Sequence, residues 1–249
     1  MAILRGVQSE CIKLRHTAIS WLHLIIPLVG AAVFSLYFLI YSQVTNDQKM
    51  ALVLELTASI FPIIISVICG MMVNLEEKAG NFQVMLSNKN GRIIPYFSKL
   101  ITAVMLGGIA TTLLVSFTLL GLTLISTDPV PYGKIVFATL GMYLGSIPLY
   151  VIYMFISIKW GLGSSVFVGV IGCLVSIMFS NVNVGTWVII PFAWGVKILQ
   201  NFIHITPISL SSFSDKFIGE LGIIVIITLL LLLLSFLWFH KWEGRKTFE

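Results

Sequence analysis

The chain has 249 residues, 58% of them hydrophobic and only 10% charged, with a mean hydropathy of +1.02. An average soluble chain carries about 25% charged residues, so a soluble globular domain is excluded. The formal net charge of +5 follows from where the lysines and arginines lie along the chain, and nucleic acid need not be invoked.

Apolar runs of roughly 20 residues, long enough to span a bilayer, fall at about 19–41, 51–73, 98–126, 135–158, 163–180 and 219–239. In hydrocarbon the backbone must satisfy its own hydrogen bonds, so these runs are helices. The expected fold is an all-α membrane protein with six transmembrane helices. Residues 1–18 form a preceding interfacial helix, and residues 19–249 form one transmembrane domain.

In the first segment Leu4, Val7, Cys11 and Leu14 recur at i, i+3, i+7 and i+10, with Arg5, Gln8, Ser9, Lys13 and His16 off that stripe. This predicts an amphipathic helix in the interface; the alternative is a basic leader that only sets topology. The first apolar run exceeds a signal-peptide core, and no small-x-small cleavage site follows it.

After the second run comes a polar island, residues 74–99. Leu75, Ala79, Phe82 and Leu86 recur at i, i+4, i+7 and i+11, widened by Met85. Gly80 interrupts the pattern, so a bend followed by a short helix around 81–86 is expected. Asn90-Gly91 marks a turn and Pro95 opens the approach to the third span. A short amphipathic helix there is a docking element for a soluble partner; the alternative is a solvated loop.

Six spans with the N-terminus inside leave 11 lysines and arginines on the inner side and 4 outside. That bias predicts both termini and the island to be cytoplasmic, and it suits anionic inner-leaflet lipid. Between the fifth and sixth runs, residues 184–196 are apolar for 13 residues and split by Pro191. Such a length suits re-entrant or interfacial placement. Trp187 and Trp194 suit a membrane–water boundary. Lys197, Gln200, Asn201 and His204 make a seventh span costly.

Chemistry within the spans is sparse. Glu55, Glu220 and Lys159 lie near span ends, which disfavours proton coupling. His23 reads as an interfacial histidine, and no His-Glu-x-x-His spacing occurs. Gly141-x-x-x-Gly145 permits close helix packing. Cys11, Cys69 and Cys173 have no metal or disulfide spacing. No catalytic residue and no metal site is expected. The chain has no Gly-x-x-x-x-Gly-Lys-Ser/Thr phosphate loop. Uphill transport would need another chain to hydrolyse nucleotide, docked where the island lies.

Glu-Glu-Lys-Ala-Gly-Asn-Phe-Gln-x-x-Leu (76–86), followed by Arg92 and Lys99, resembles the segment after the second span of type-2 ABC exporter permeases. An N-terminal helix containing Glu10, Lys13 and Arg15, then six spans with short outer helices before the last, matches the same architecture. The proline often found before the basic residue is absent here. The resemblance implies a non-catalytic permease of the bacterial cytoplasmic membrane, with Glu76, Glu77, Gly80, Phe82, Gln83, Leu86 and Arg92 coupling to an ABC ATPase. That ATPase would hold ATP and Mg, this chain binding no cofactor. A second permease, the same or paralogous, is implied. Trp187, Pro191 and Trp194 become candidates for substrate contact. The Gly-Asn-Phe-Gln step is similar to lantibiotic immunity permeases, which implies an antimicrobial peptide as cargo. A drug, a lipid-linked glycan or an ion as cargo, or a non-transporting anchor or sensor, are the alternatives.

Overall fold

The computed structural model describes residues 2–41, 43–87, 91–126, 128–181, 185–204 and 214–245. Every regular element among them is helical: α1 (Ala2–Leu14), α2 (Ala18–Ile40), α3 (Asn46–Lys78), α4 (Gln83–Leu86), α5 (Ile93–Ile125), α6 (Tyr132–Trp160), α7 (Leu162–Asn181), a 3-10 turn (Gly185–Ile189), α8 (Pro191–His204) and α9 (Asp215–Lys241). Six of these, α2, α3, α5, α6, α7 and α9, are long and apolar enough to cross a membrane, as the hydropathy pattern predicts.

The helices outrun their apolar cores because polar caps extend them. At the start of α3 the Thr45 side chain accepts from the Gln48 N–H, and the Gln48 side chain accepts from the Thr45 N–H, a reciprocal capping box. With 33 residues, α3 is about 50 Å long, well beyond the hydrocarbon thickness of about 30 Å. Both of its ends therefore project into polar surroundings.

Packing grades the helices. α3 lies mainly against α7 and α6, and α6 against α8, so these form the centre. α2 packs on α5 and touches α3 sparingly, while α9 lies at the margin. The outer faces of α2 and α9 carry exposed Leu, Ile and Val side chains, as helices facing lipid do. Pro27, Pro62 and Pro148 sit inside α2, α3 and α6, and each leaves the carbonyl four residues earlier without its helical donor. α6 and α7 are joined through Gly161 alone, at φ +91°, a backbone conformation that glycine adopts without steric cost.

Candidate functional site

The helix ends that meet the N-terminal helix enclose four charges. Glu10 of α1 and Glu76 of α3 are 5% exposed, and Lys99 of α5 is 2% exposed. The Lys99 ammonium donates to Glu10 and, at 3.1 Å, to Glu76. The more exposed Lys13 donates to both carboxylates at 2.8 Å. Two cations face two anions, so the knot is formally neutral and each buried charge has an opposite partner, which burial requires. Burial alone would lower the Lys13 pKa; its hydrogen bonds and attraction to Glu10 and Glu76 outweigh that and raise it.

Local sequence explains the close approach. A Cβ on Gly6 would stand 2.1 Å from the Ser98 hydroxyl, so only glycine lets α1 lie this near α5. Gly6, Glu10 and Leu14 then share the face turned to the bundle, and Leu14 is buried. The expected stripe is divided: Leu14 points inward, whereas Leu4 and Cys11 are exposed. The ion pairs favour turning the Glu10 face inward, which leaves Ile3, Leu4 and Ile12 outward.

The bend after α3 is sharper than the periodicity implies. Gly80, Asn81 and Phe82 all have positive φ, +144°, +48° and +66°, so the short helix starts at Gln83 rather than near 81. Left-handed backbone is costly for Phe. Its ring is buried and meets Trp242 edge-on at 5.1 Å, contacts that offset the strain.

A C-terminal tail locks this bend. Arg245 pairs with Glu77 and donates from Nε to the Ile158 carbonyl at 2.9 Å and from Nη2 to the Ser157 carbonyl. It thereby caps the last turn of α6, where carbonyls lack helical donors. Its guanidinium stands 5.4 Å from the Phe82 ring centroid, and Arg92 donates to the Trp242 carbonyl at 3.1 Å.

The seven residues expected to couple to an ATPase therefore differ in position. Glu76 lies inside the knot, and Phe82 is buried beneath the tail against Trp242. Glu77, Leu86 and Arg92 are half-buried beneath or beside the tail, and Gly80 and Gln83 are exposed. Val84 projects further, at 61% exposure. A soluble partner could touch Gly80, Asn81, Gln83 and Val84. Sequence reasoning missed Glu10, Lys13, Lys99, Trp242 and Arg245 as site residues. Its available signal was Lys99 standing alone at the mouth of an apolar run.

At the opposite end α8 is a wedge within the bundle. Trp194 is fully buried, Trp187 is buried and Pro191 half-buried. Neighbouring helices, rather than open solvent, enclose both tryptophans. Cβ atoms at Gly141 and Gly145 would meet Phe202 at 2.7 Å and Ile198 at 2.8 Å, and one at Gly195 would meet the Ser146 hydroxyl at 2.6 Å. The small residues admit α8, so the Gly141-x-x-x-Gly145 face packs on it. Trp194 Nε1 donates to the Val188 carbonyl at 2.9 Å, satisfying its one donor. Pro191 opens the helix, where its missing N–H costs nothing.

Polar residues on α8 turn inward too. Lys197 donates to the Gln200 side chain at 3.0 Å; the Gln200 amide donates to the Ser180 carbonyl at 2.9 Å and to Glu55 at 3.4 Å. Burial lowers the Lys197 pKa, opposed by the Glu55 carboxylate. Residues 182–184 and 205–213 of this stretch, and 88–90 of the island, lie outside the described residues, as does the His204 side chain. Among the described residues no metal-holding group of three His, Cys, Asp or Glu forms, and Cys11, Cys69 and Cys173 are free.

Comparison with known proteins adds one positive finding. A family model described as ABC-2 family transporter protein matches residues 6–171. No curated protein matches the chain. The match covers the N-terminal helix, the charged knot up to Lys99 and four of the six spans, and the chain belongs to the ABC-2 transporter family. Membership makes it a multi-pass membrane component of ABC transport and implies association with an ABC ATPase subunit.

Proposed function

We propose that this chain is the permease subunit of an ATP-driven exporter that expels a lantibiotic or similar antimicrobial peptide from the membrane of a bacterial producer. The observation that carries the permease reading is the neutral knot of Glu10, Lys13, Glu76 and Lys99 behind a tip that exposes Gly80, Asn81, Gln83 and Val84. A push on the tip reaches three span-associated ends at once, since the knot ties α1, α3 and α5. α2 follows, because Ser20 and Thr17 donate to the Leu14 carbonyl at 2.7 and 2.8 Å across the α1–α2 corner. Gln83 and Val84 make direct contact with the ATPase, while Glu76, Glu77, Phe82, Leu86 and Arg92 hold the tip in place.

In this reading both termini face the cytoplasm, ATP and Mg bind the ATPase, and a second permease, identical or paralogous, stands beside this one in the membrane. The peptide cargo rests on the Gly80-Asn81-Phe82-Gln83 step and on the apolar character of the spans. The segment carrying Trp187, Pro191 and Trp194 acts as a plug that the cargo meets when α6 and α7 part from α8.

Val84→Asp alters only an exposed tip, so the variant should fold normally, fail to co-purify with the cognate ATPase and lose stimulated ATP hydrolysis. Unchanged co-purification and stimulation would remove the tip from the interface. The cargo is tested by co-expressing the chain with its ATPase and sister permease in a lantibiotic-sensitive host. Raised tolerance is expected. Tolerance raised only to a non-peptide drug would replace the peptide reading.

A further inference from the structure

The sparing contact between α2 and α3 leaves a cavity of about 340 Å³ with α5 as its floor, at the lower end of ligand-site sizes. Ile26, Val33, Leu56 and Ile60 at its rim are each 41–58% exposed, so it opens sideways where the surrounding medium is hydrocarbon. No charged side chain lines it.

Its polar groups are nearly all occupied. Thr57 and Thr111 donate to the carbonyls of Val53 and Gly107 in their own helices. The Tyr150 hydroxyl is wedged against α5, where a Cβ on Gly107 would be. That leaves His23. Its Nδ1 donates to the Ile19 carbonyl at 2.7 Å, so in the neutral ring Nε2 is an acceptor with no partner among the described residues. Pro27 also withholds the donor that the His23 carbonyl would otherwise receive.

These acceptors sit about one and a half turns into α2, toward the end that carries the charged knot. From His23 to Val33 the cleft follows about 15 Å of helix, the depth of about one leaflet. One acceptor-rich point followed by an apolar leaflet-deep channel has the polarity of a lipid standing in that leaflet. A peptide backbone would bring many donors and carbonyls into a cleft that could satisfy few of them.

We infer that the α2–α3–α5 cleft binds the hydrocarbon chain of a single-chain neutral amphiphile, its hydroxyl donating to His23. The site stands independently of the cargo proposed above. The test uses membranes containing the full chain and a monoacylglycerol with a diazirine in its acyl chain, adducts being mapped by mass spectrometry. Adducts should concentrate on α2, α3 and α5 residues of the cleft, fall when unlabelled monoacylglycerol is added, and fall about tenfold in Ile60→Trp, which fills the mouth. Leu230→Trp, on the exposed face of α9, should leave them unchanged. His23→Phe should weaken labelling by the hydroxylated probe about three- to tenfold but not by an alkane of equal length. Thermal melting confirms that each variant is folded. Labelling spread evenly over α2 and α9, unaffected by competitor or by Ile60→Trp, would overturn the site. Displacement of the probe by an apolar transmembrane peptide carrying its own label into the same residues would overturn its assignment to a hydrocarbon chain.

Discussion

The two ends of this bundle are held by opposite means. At one end three buried charges and a more exposed lysine, from three helices, pair together, with an arginine tail laid over the bend beside them. At the other, a short helix is admitted between spans by glycines and closed by aromatic and aliphatic side chains. Contact between small residues and bulky apolar groups is cohesive in one geometry only, because packed interiors tolerate little change in volume. Buried ion pairs contribute less net stability but are specific about partner and register. The apolar end is suited to staying put, and the charged end to moving as a unit.

The sharpest way to break the contrast is Lys99→Ala. It leaves Glu10 and Glu76 buried with only Lys13 between them, and should cost about 3–5 kcal/mol, seen as a large drop in thermal melting. Glu10→Leu combined with Lys99→Met preserves the Lys13–Glu76 pair and should regain most of that stability while uncoupling ATP hydrolysis from export. If the double variant still exports, the knot is cement and no transmitter.

Next in size is Gly145→Leu at the apolar end, where Ile198 and the Trp194 backbone leave no room. Overpacking there should cost about 1–3 kcal/mol, read by the same melt. Gly133→Leu, with nothing within 4 Å of its Cβ, should be close to neutral. Arg245→Ala should have a smaller effect, about 1 kcal/mol, because the Arg245–Glu77 pair is partly solvated. Chymotrypsin should cut after Trp242 faster in that variant. The smallest effect is a pH dependence. The Lys13 pKa is raised in the folded protein, so its contribution is complete below the unfolded lysine value of about 10.4 and fades as pH rises through the folded value. Lys13→Met should flatten this alkaline fall in melting temperature.

The spans were readable because hydropathy reports hydrocarbon directly, and the short helix after α3 was readable from its period. Its first turn was not, since three successive positive φ values depend on Phe82 finding Trp242, 160 residues on in a segment with no pattern of its own. The knot was illegible for the same reason: Glu10 and Lys99 are 89 residues apart, and neither position announces its partner. For α8 the length and the polar residues correctly argued against a seventh span. Its burial depended on glycines in α6 that read only as a common packing step.

The knot also bears on biogenesis. A ribosome delivers Glu10 and Lys13 first and Glu76 much later, when the growing chain has two acids and one base for this joint. Lys99 arrives last and completes the neutralisation. The joint therefore cannot close in its final form before the third span begins to emerge, and its closure marks the moment at which the first half of the chain has been inserted in the right order.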